Sequence, residues 1–317
     1  MVDYLKVFGA VSNLSLNGYC QLQGKLDGER LRYKIYNDDF SEYLNLICKE
    51  DSVNITIGGN LRKWKFGSKA VLRDLTYYHF VECIELVAEK IGATKNEIWS
   101  FYTRKIEFGA NLNVGVKYRH IFDTLIAYGK LDRVERGQGQ KSLYFEGKKY
   151  TVKFYSKVED VYTQRKLSNK VGEILSQKGM SLRVELVVKS KSAMSYKDKI
   201  NTLGDIRDNF NYILYNVWLK IFDKVEVANT LSVTKELSPK GMTFTEIKEY
   251  MMHSFIKGKG LVKSLDILKQ YSKYNKPNEK KELIRIFESY QTNDDDYYFD
   301  AIKKIAKRKA DTMAKTV

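Results

Sequence analysis

Residues 147–157, GKKYTVKFYSK, read as a strand. Side chains alternate at period two, so Lys153, Tyr155 and Lys157 share one face. A phenol ionises near pH ~10 and is a poor nucleophile at neutrality. Two flanking ammonium groups favour its phenolate and attract a phosphodiester, which makes Tyr155 the candidate for nucleophilic attack. Tyr150 is a rival, but the alternation turns it to the opposite face. Two further strands carry a glutamate inside an apolar run. In RKIEFGAN (104–111), Lys105, Glu107, Gly109 and Asn111 share a face; in LRVELV (182–187), Arg183 and Glu185 do. A charge in mid-strand must be paired, metal-bound or wet. One arrangement makes these residues cross-strand ion pairs on a wet face. The other gathers them around Tyr155. Glu107 and Glu185 then hold Mg²⁺ or Mn²⁺, which prefer oxygen ligands. The ion neutralises a phosphate oxygen while the tyrosine attacks in line. Lys153, Lys157 and Arg183 stabilise the phenolate and the crowded phosphate.

The rest of the composition bears on the substrate. The 317 residues carry 55 Lys and Arg against 39 Asp and Glu, a formal charge of +16, so the chain is drawn to polyanions. Its 23 Tyr, 15 Phe and 3 Trp, interleaved with cations, suit single strands, whose bases stack and whose phosphates pair. Cys20, Cys48 and Cys83 show neither paired nor metal-ligand spacing, which points to a reducing cytosol. No signal core or long apolar run appears, so a soluble cytoplasmic protein without membrane contact is expected. His79, His120 and His253 are scattered, and nothing resembles a nucleotide-hydrolysis motif. Gly58-Gly59-Asn60 before the basic run LRKWK could touch phosphates, but lacks P-loop spacing.

The elements that must position Tyr155 follow from periodicity. Residues 17–36 predict a hairpin turning at Asp27-Gly28, 39–49 a helix, 51–57 a strand and 75–91 a helix stopped by Gly92. Residues 101–114 predict a strand, 119–128 a helix, 141–157 a hairpin, 162–177 a helix and 181–188 a strand. GERLRYKIY (28–36) and GKKYTVKFY (147–155) share one pattern, each followed by a short helix and an apolar strand. The expected fold is therefore α+β: an antiparallel sheet built from two pseudo-repeated β-hairpin–helix–strand units, with helices packed on it. In the first copy Tyr36 stands where Tyr155 does, Asp38 replaces Lys157, and the next strand lacks an acid. That half is expected to serve as scaffold or DNA-binding surface, with Tyr36 a minor rival nucleophile. After about residue 200 the pattern turns helical: 201–228, 243–257, 261–274, 278–290 and 295–314. Domains are thus expected at 1–200 and 201–317, the boundary falling within 190–240. The basic end, AIKKIAKRKADTMAKTV, reads as an arm on DNA phosphates or as a fraying helix end.

NLRKW (60–64), a long helix, KIEFGANL (105–112), KSLYFEGKKYTVKFYSK (141–157), SLRVELVVK (181–189) and INTLGDI (200–206) occur in that order. The series resembles the phage and plasmid replication initiators of the filamentous-phage gene II/X class, especially those of Bacteroidetes elements, over residues 50–210. The resemblance implies a rolling-circle initiator. Such a protein binds an origin duplex, nicks one strand through a 5′-phosphotyrosyl intermediate and later rejoins the displaced single strand. It implies Tyr155 as nucleophile and leaves metal ligation by Glu107 and Glu185 to inference, because the histidine–hydrophobe–histidine motif of many rolling-circle nucleases is missing. The helical C-terminal part would bind DNA, dimerise or recruit a host helicase. The alternatives are a non-enzymatic origin-binding or replication-control protein, and a structural protein of a mobile element.

Overall fold

Alternation of buried and open residues marks several of the strand segments, and a large antiparallel sheet results. The computed structural model describes residues 1–26, 29–49, 53–71, 73–114, 122, 125–136, 142–156, 180–189, 200–227, 243–259, 264–265, 267–268, 276–289 and 298–316. Among these, twelve strands pair: β1 (Val2–Ala10), β2 (Cys20–Leu26), β3 (Arg30–Tyr36), β4 (Tyr43–Lys49), β5 (Asn54–Asn60), β6 (Tyr102–Asn113), β7 (Leu125–Tyr128), β8 (Leu131–Arg136), β9 (Ser142–Glu146), β10 (Tyr150–Ser156), β11 (Met180–Val188) and β12 (Val225–Val227). Their order is β12-β7-β8-β9-β10-β11-β6-β1-β5-β4-β3-β2, so the first strand of the chain lies mid-sheet against β6.

One face of the sheet is dry. Val7, Ile35, Leu44, Leu46, Ile57, Ile106, Phe108, Phe145, Phe154 and Val184 are buried on it. The helices α1 (Leu61–Phe66), α2 (Tyr77–Ile91), α3 (Lys95–Ser100) and α4 (Leu203–Asp208) add Trp64, Phe80, Ile84, Ile98 and Ile206 to the same core. Local chemistry fixes the ends of α2. Thr76 and His79 form a reciprocal capping box, and Gly92 closes the helix in the left-handed region at φ 74°, where a side chain is strained.

Several expectations need correction. Residues 39–49 are not a helix. Phe40, Tyr43, Leu44 and Ile47 fit helical spacing, but Leu44, Leu46 and Cys48 also alternate, and pairing with β3 and β5 decides for strand β4. The helix expected over 119–128 gives way to strand β7 at its end, for the same reason. Strand β5 runs Asn54–Asn60 rather than 51–57. The region beyond 200 is not wholly helical: β12 pairs with β7 at the sheet edge. Three longer helices, α5 (Phe244–Lys259), α6 (Lys276–Ser289) and α7 (Tyr298–Met313), lie where helices were expected. Residues 210–224 continue the core and include a π-helical stretch, Ile213–Trp218. Helix α7 is no loose arm, because Phe299, Ile302, Ala306, Ala310 and Met313 are buried in the main core. Helices α5 and α6 build a smaller cluster with Ile126 and Ala127. The Asp27-Gly28 turn, Lys157, His120 and the 162–177 helix lie outside the described residues.

Outward from the central β1/β6 pair the order reads β5-β4-β3-β2 on one side and β11-β10-β9-β8 on the other. The repeated sequence falls on β3 and β10, which hold different ranks: third from β1 and second from β6.

Candidate active site

The polar face around β10, β11 and β6 follows from register. Lys153 stands opposite Glu185, Tyr155 opposite Arg183, and Glu185 opposite Gly109, while Glu107 pairs with Val187 one position along. Directly paired residues share a face, and diagonal neighbours come within reach of long side chains. The Tyr155 hydroxyl donates diagonally to Glu185 Oε1 at 2.7 Å. Lys153 Nζ lies 3.2 Å from Glu185 Oε2 and 3.7 Å from Glu107 Oε2, bridging the two carboxylates. Lys105 Nζ sits 3.0 Å from Glu107 Oε1. Five of the residues read from sequence are therefore brought together: Tyr155, Lys153, Arg183, Glu107 and Glu185. Tyr150 points the other way, its ring 5.9 Å from that of Tyr128. Tyr36 lies on β3 against Tyr43, ring centroids 5.8 Å apart.

Beneath the tyrosine lies a charge network that motif reading missed. Arg183, 0% exposed, donates from Nε to Glu185 Oε1 at 2.8 Å and from Nη1 to Asn111 Oδ1 at 2.6 Å. Its Nη1 also lies 3.1 Å from Asp74 Oδ1, and its Nη2 pairs with Asp3. Asp3 in turn meets Arg62 Nε at 2.9 Å, and Asp74 meets Lys309 Nζ of α7 at 2.8 Å and accepts from the Asn111 amide. Three carboxylates thus face three cations below the surface, and each charge has its counter-charge. Gly109 makes the approach possible. A Cβ there would stand 2.8 Å from both Glu185 Cγ and Asp3 Oδ2, and 3.0 Å from Arg183 Nη2.

NLRKW proves to be a structural motif. Asn60 caps α1 by accepting from the Lys63 amide at 2.7 Å, Arg62 is the buried partner of Asp3, and Trp64 Nε1 donates to Ile35 O at 3.0 Å. INTLGDI holds the capping box of Thr202 and Asp205. His79 Nδ1 lies 2.9 Å from Thr76 Oγ1 and takes no part in the site.

The electrostatics are set by the same partners. Burial pushes the Glu185 carboxyl up, but Arg183, then Lys153 and the Tyr155 hydrogen bond, outweigh it and hold the group at about 2. Burial pushes the Lys153 ammonium down, while Glu185 and Glu107 more than reverse that and leave it raised. Among the described residues no group of three or more His, Cys, Asp or Glu side chains is arranged as a metal cage. Glu107 and Glu185 fit only a site that takes one or two carboxylates and completes its shell with water and phosphate oxygens.

No protein-family model matches the chain, and no curated protein matches it in sequence. Among the described residues no helix is long and apolar enough to cross a membrane.

Proposed function

We propose that this protein is a DNA strand nuclease and transferase that initiates rolling-circle replication, with Tyr155 as nucleophile. One observation carries the reading: the Tyr155 hydroxyl is held 2.7 Å from Glu185, which Lys153 links to Glu107. An ordinary wet strand has no need to bury an arginine beneath its tyrosine and saturate it with acids. In the proposed step the phenolic oxygen bonds to phosphorus, and the bond from phosphorus to the 3′ oxygen breaks. The products are a 5′-phosphotyrosyl strand and a 3′-hydroxyl. The phenolic proton goes to Glu185. A carboxyl held at about 2 is a weak base, but an incoming phosphodiester draws Lys153 toward itself, and a lost cation raises Glu185. The departing 3′ oxygen takes its proton from Lys153, which regains one from Glu185. Attack by the free 3′-hydroxyl reverses the sequence and rejoins strands. Glu107 and Glu185 are the residues that would hold Mg²⁺ or Mn²⁺ once Lys153 leaves the space between them, and the ion would supply neutralising charge to the phosphate.

The sheet order does not match the repeated segments strand for strand, since β3 and β10 hold different ranks, and the reading rests on β10, β11 and β6, which bring the tyrosine and the acids together. A DNA-binding protein without catalysis is the second reading, favoured by the way ion pairs and hydrogen bonds already satisfy both oxygens of Glu185. The experiment uses a supercoiled plasmid carrying the DNA that flanks the gene, with Mg²⁺ or Mn²⁺. Nicked circles covalently bound to wild-type protein and absent with Tyr155→Phe are expected. Nicking that survives in Tyr155→Phe overturns the assignment, and no adduct with any divalent ion leaves the second reading standing.

A further inference from the structure

The polar face continues from the tyrosine site across β6, β1, β5, β4 and β3, and its register forms three parallel rungs. The middle rung is Lys105, Lys6, Gly58, Asn45 and Lys34. One flank carries Tyr4 and Asn60 toward the paired Tyr43 and Tyr36; the other carries Phe8, Thr56, Ile47 and Arg32. None of these flanking or central side chains from β1 to β3 is buried. From Tyr4 onward, these four strands direct Lys6, Lys49, Arg30, Arg32 and Lys34 to this face and no carboxylate. Cations lie over the rings: Lys105 Nζ is 4.6 Å from the Tyr4 centroid and Lys34 Nζ is 4.1 Å from that of Tyr43.

Gly58 is the telling residue. Its neighbour Gly59 is explained by packing, since a Cβ there would strike Leu44 Cδ2 at 2.7 Å. At Gly58 a Cβ would meet nothing closer than 3.5 Å, an ordinary contact. Neither crowding nor a left-handed backbone requires glycine at Gly58, yet it leaves the centre of the rung open between Lys6 and Asn45. The middle row is thus low at Gly58, with Lys6 and Lys34 to either side along it and aromatic residues in both flanking rows, and this row is the trough.

We propose that this trough is a binding track for single-stranded DNA across the first half of the sheet, on the same face as Tyr155. The charge and the rings choose the occupant. Phosphates meet Lys6 and Lys34 along the floor, Lys105 being held by Glu107 at 3.0 Å, and an unpaired base stacks on Tyr43 once a phosphate draws Lys34 off its ring, which a duplex cannot offer. At ~4.8 Å between strands the rung spans roughly 19 Å from β6 to β3. The proposal rests on the nuclease reading but is tested by binding alone.

The probe is a fluorescent oligo-dT of about 16 nucleotides, the upper end of the site size of one sheet-based module. Gly58→Val adds a β-branched side chain that suits a strand and fills the trough, so melting is expected unchanged or higher while affinity falls roughly tenfold. Lys34→Glu is expected to weaken binding by a similar factor and to flatten its salt dependence. Binding within about twofold of wild type in both Gly58→Val and Lys34→Glu overturns the track, as does a matching duplex that binds equally well and is weakened equally by Gly58→Val. An adduct assay on the same variants separates the two readings. Oligo-dT binding that depends on Gly58 in a protein forming no adduct removes the nuclease reading alone. An adduct in a protein whose binding ignores Gly58 removes the track alone.

Discussion

Replacing Arg183 with leucine tests the buried network directly. The guanidinium is fully buried and serves Asp3, Asp74, Glu185 and Asn111. Leucine fills part of the space but leaves three carboxylates facing Arg62 and Lys309, with Lys153 at the surface end. Breaking a buried pair from one side costs about 3–5 kcal/mol, because the surviving charge stays desolvated. For a chain of this size a kilocalorie lowers melting by about 2 °C, so Arg183→Leu is expected to melt roughly 6–10 °C below wild type. The pH dependence gives a second, sharper readout. In wild type Glu185 titrates at about 2 and stays charged at pH 5. In the variant a carboxyl that has lost its arginine titrates above its unfolded value, so folding takes up a proton as pH falls. The stability gap, measured by urea unfolding, is therefore expected to be smaller at pH 5 than at pH 7. A gap under about 1 kcal/mol, the size of an exposed pair, or an equal gap at both pH values refutes the reasoning.

Gly109→Ala is expected to cost about 1–3 kcal/mol through overpacking, since its new methyl stands 2.8 Å from Glu185 Cγ and Asp3 Oδ2. The same change displaces Glu185 from Tyr155, so adduct yield is expected to fall more steeply than melting temperature; retained yield contradicts the close approach. Wild-type stability should follow Glu185 in acid. A depressed carboxyl contributes fully above its unfolded pKa of ~4.3 and loses that contribution as pH falls toward about 2. Thermal melting between pH 5 and pH 2 is expected to show this loss, and Glu185→Gln should flatten that part of the curve.

The strands that carry the site were legible because Val152, Phe154, Val184, Ile106 and Phe108 alternate with polar residues and leave one dry face. Period two also puts Lys153 with Tyr155 and Arg183 with Glu185, but that these two faces are one follows only from the pairing of β10 with β11. Residues 39–49 were not legible locally, because their apolar positions satisfy both periods and only the partners β3 and β5 choose between them. Asp3, Asp74 and Lys309 were missed for another reason. They come from three remote segments, and no spacing in the chain announces that one arginine will join them. The mid-strand Arg183 was the available signal: a cation inside LRVELV requires acids from somewhere.

The tie between Lys309 and Asp74 also has a meaning in time. Translation delivers β1, the tyrosine strand and β11 well before it delivers α7. A nascent chain therefore holds Asp74 without its lysine until α7 has been made. The charge network under Tyr155 is completed by a helix that comes far later in the chain than the tyrosine strand, so a product cut short before α7 carries the tyrosine on an unfinished foundation.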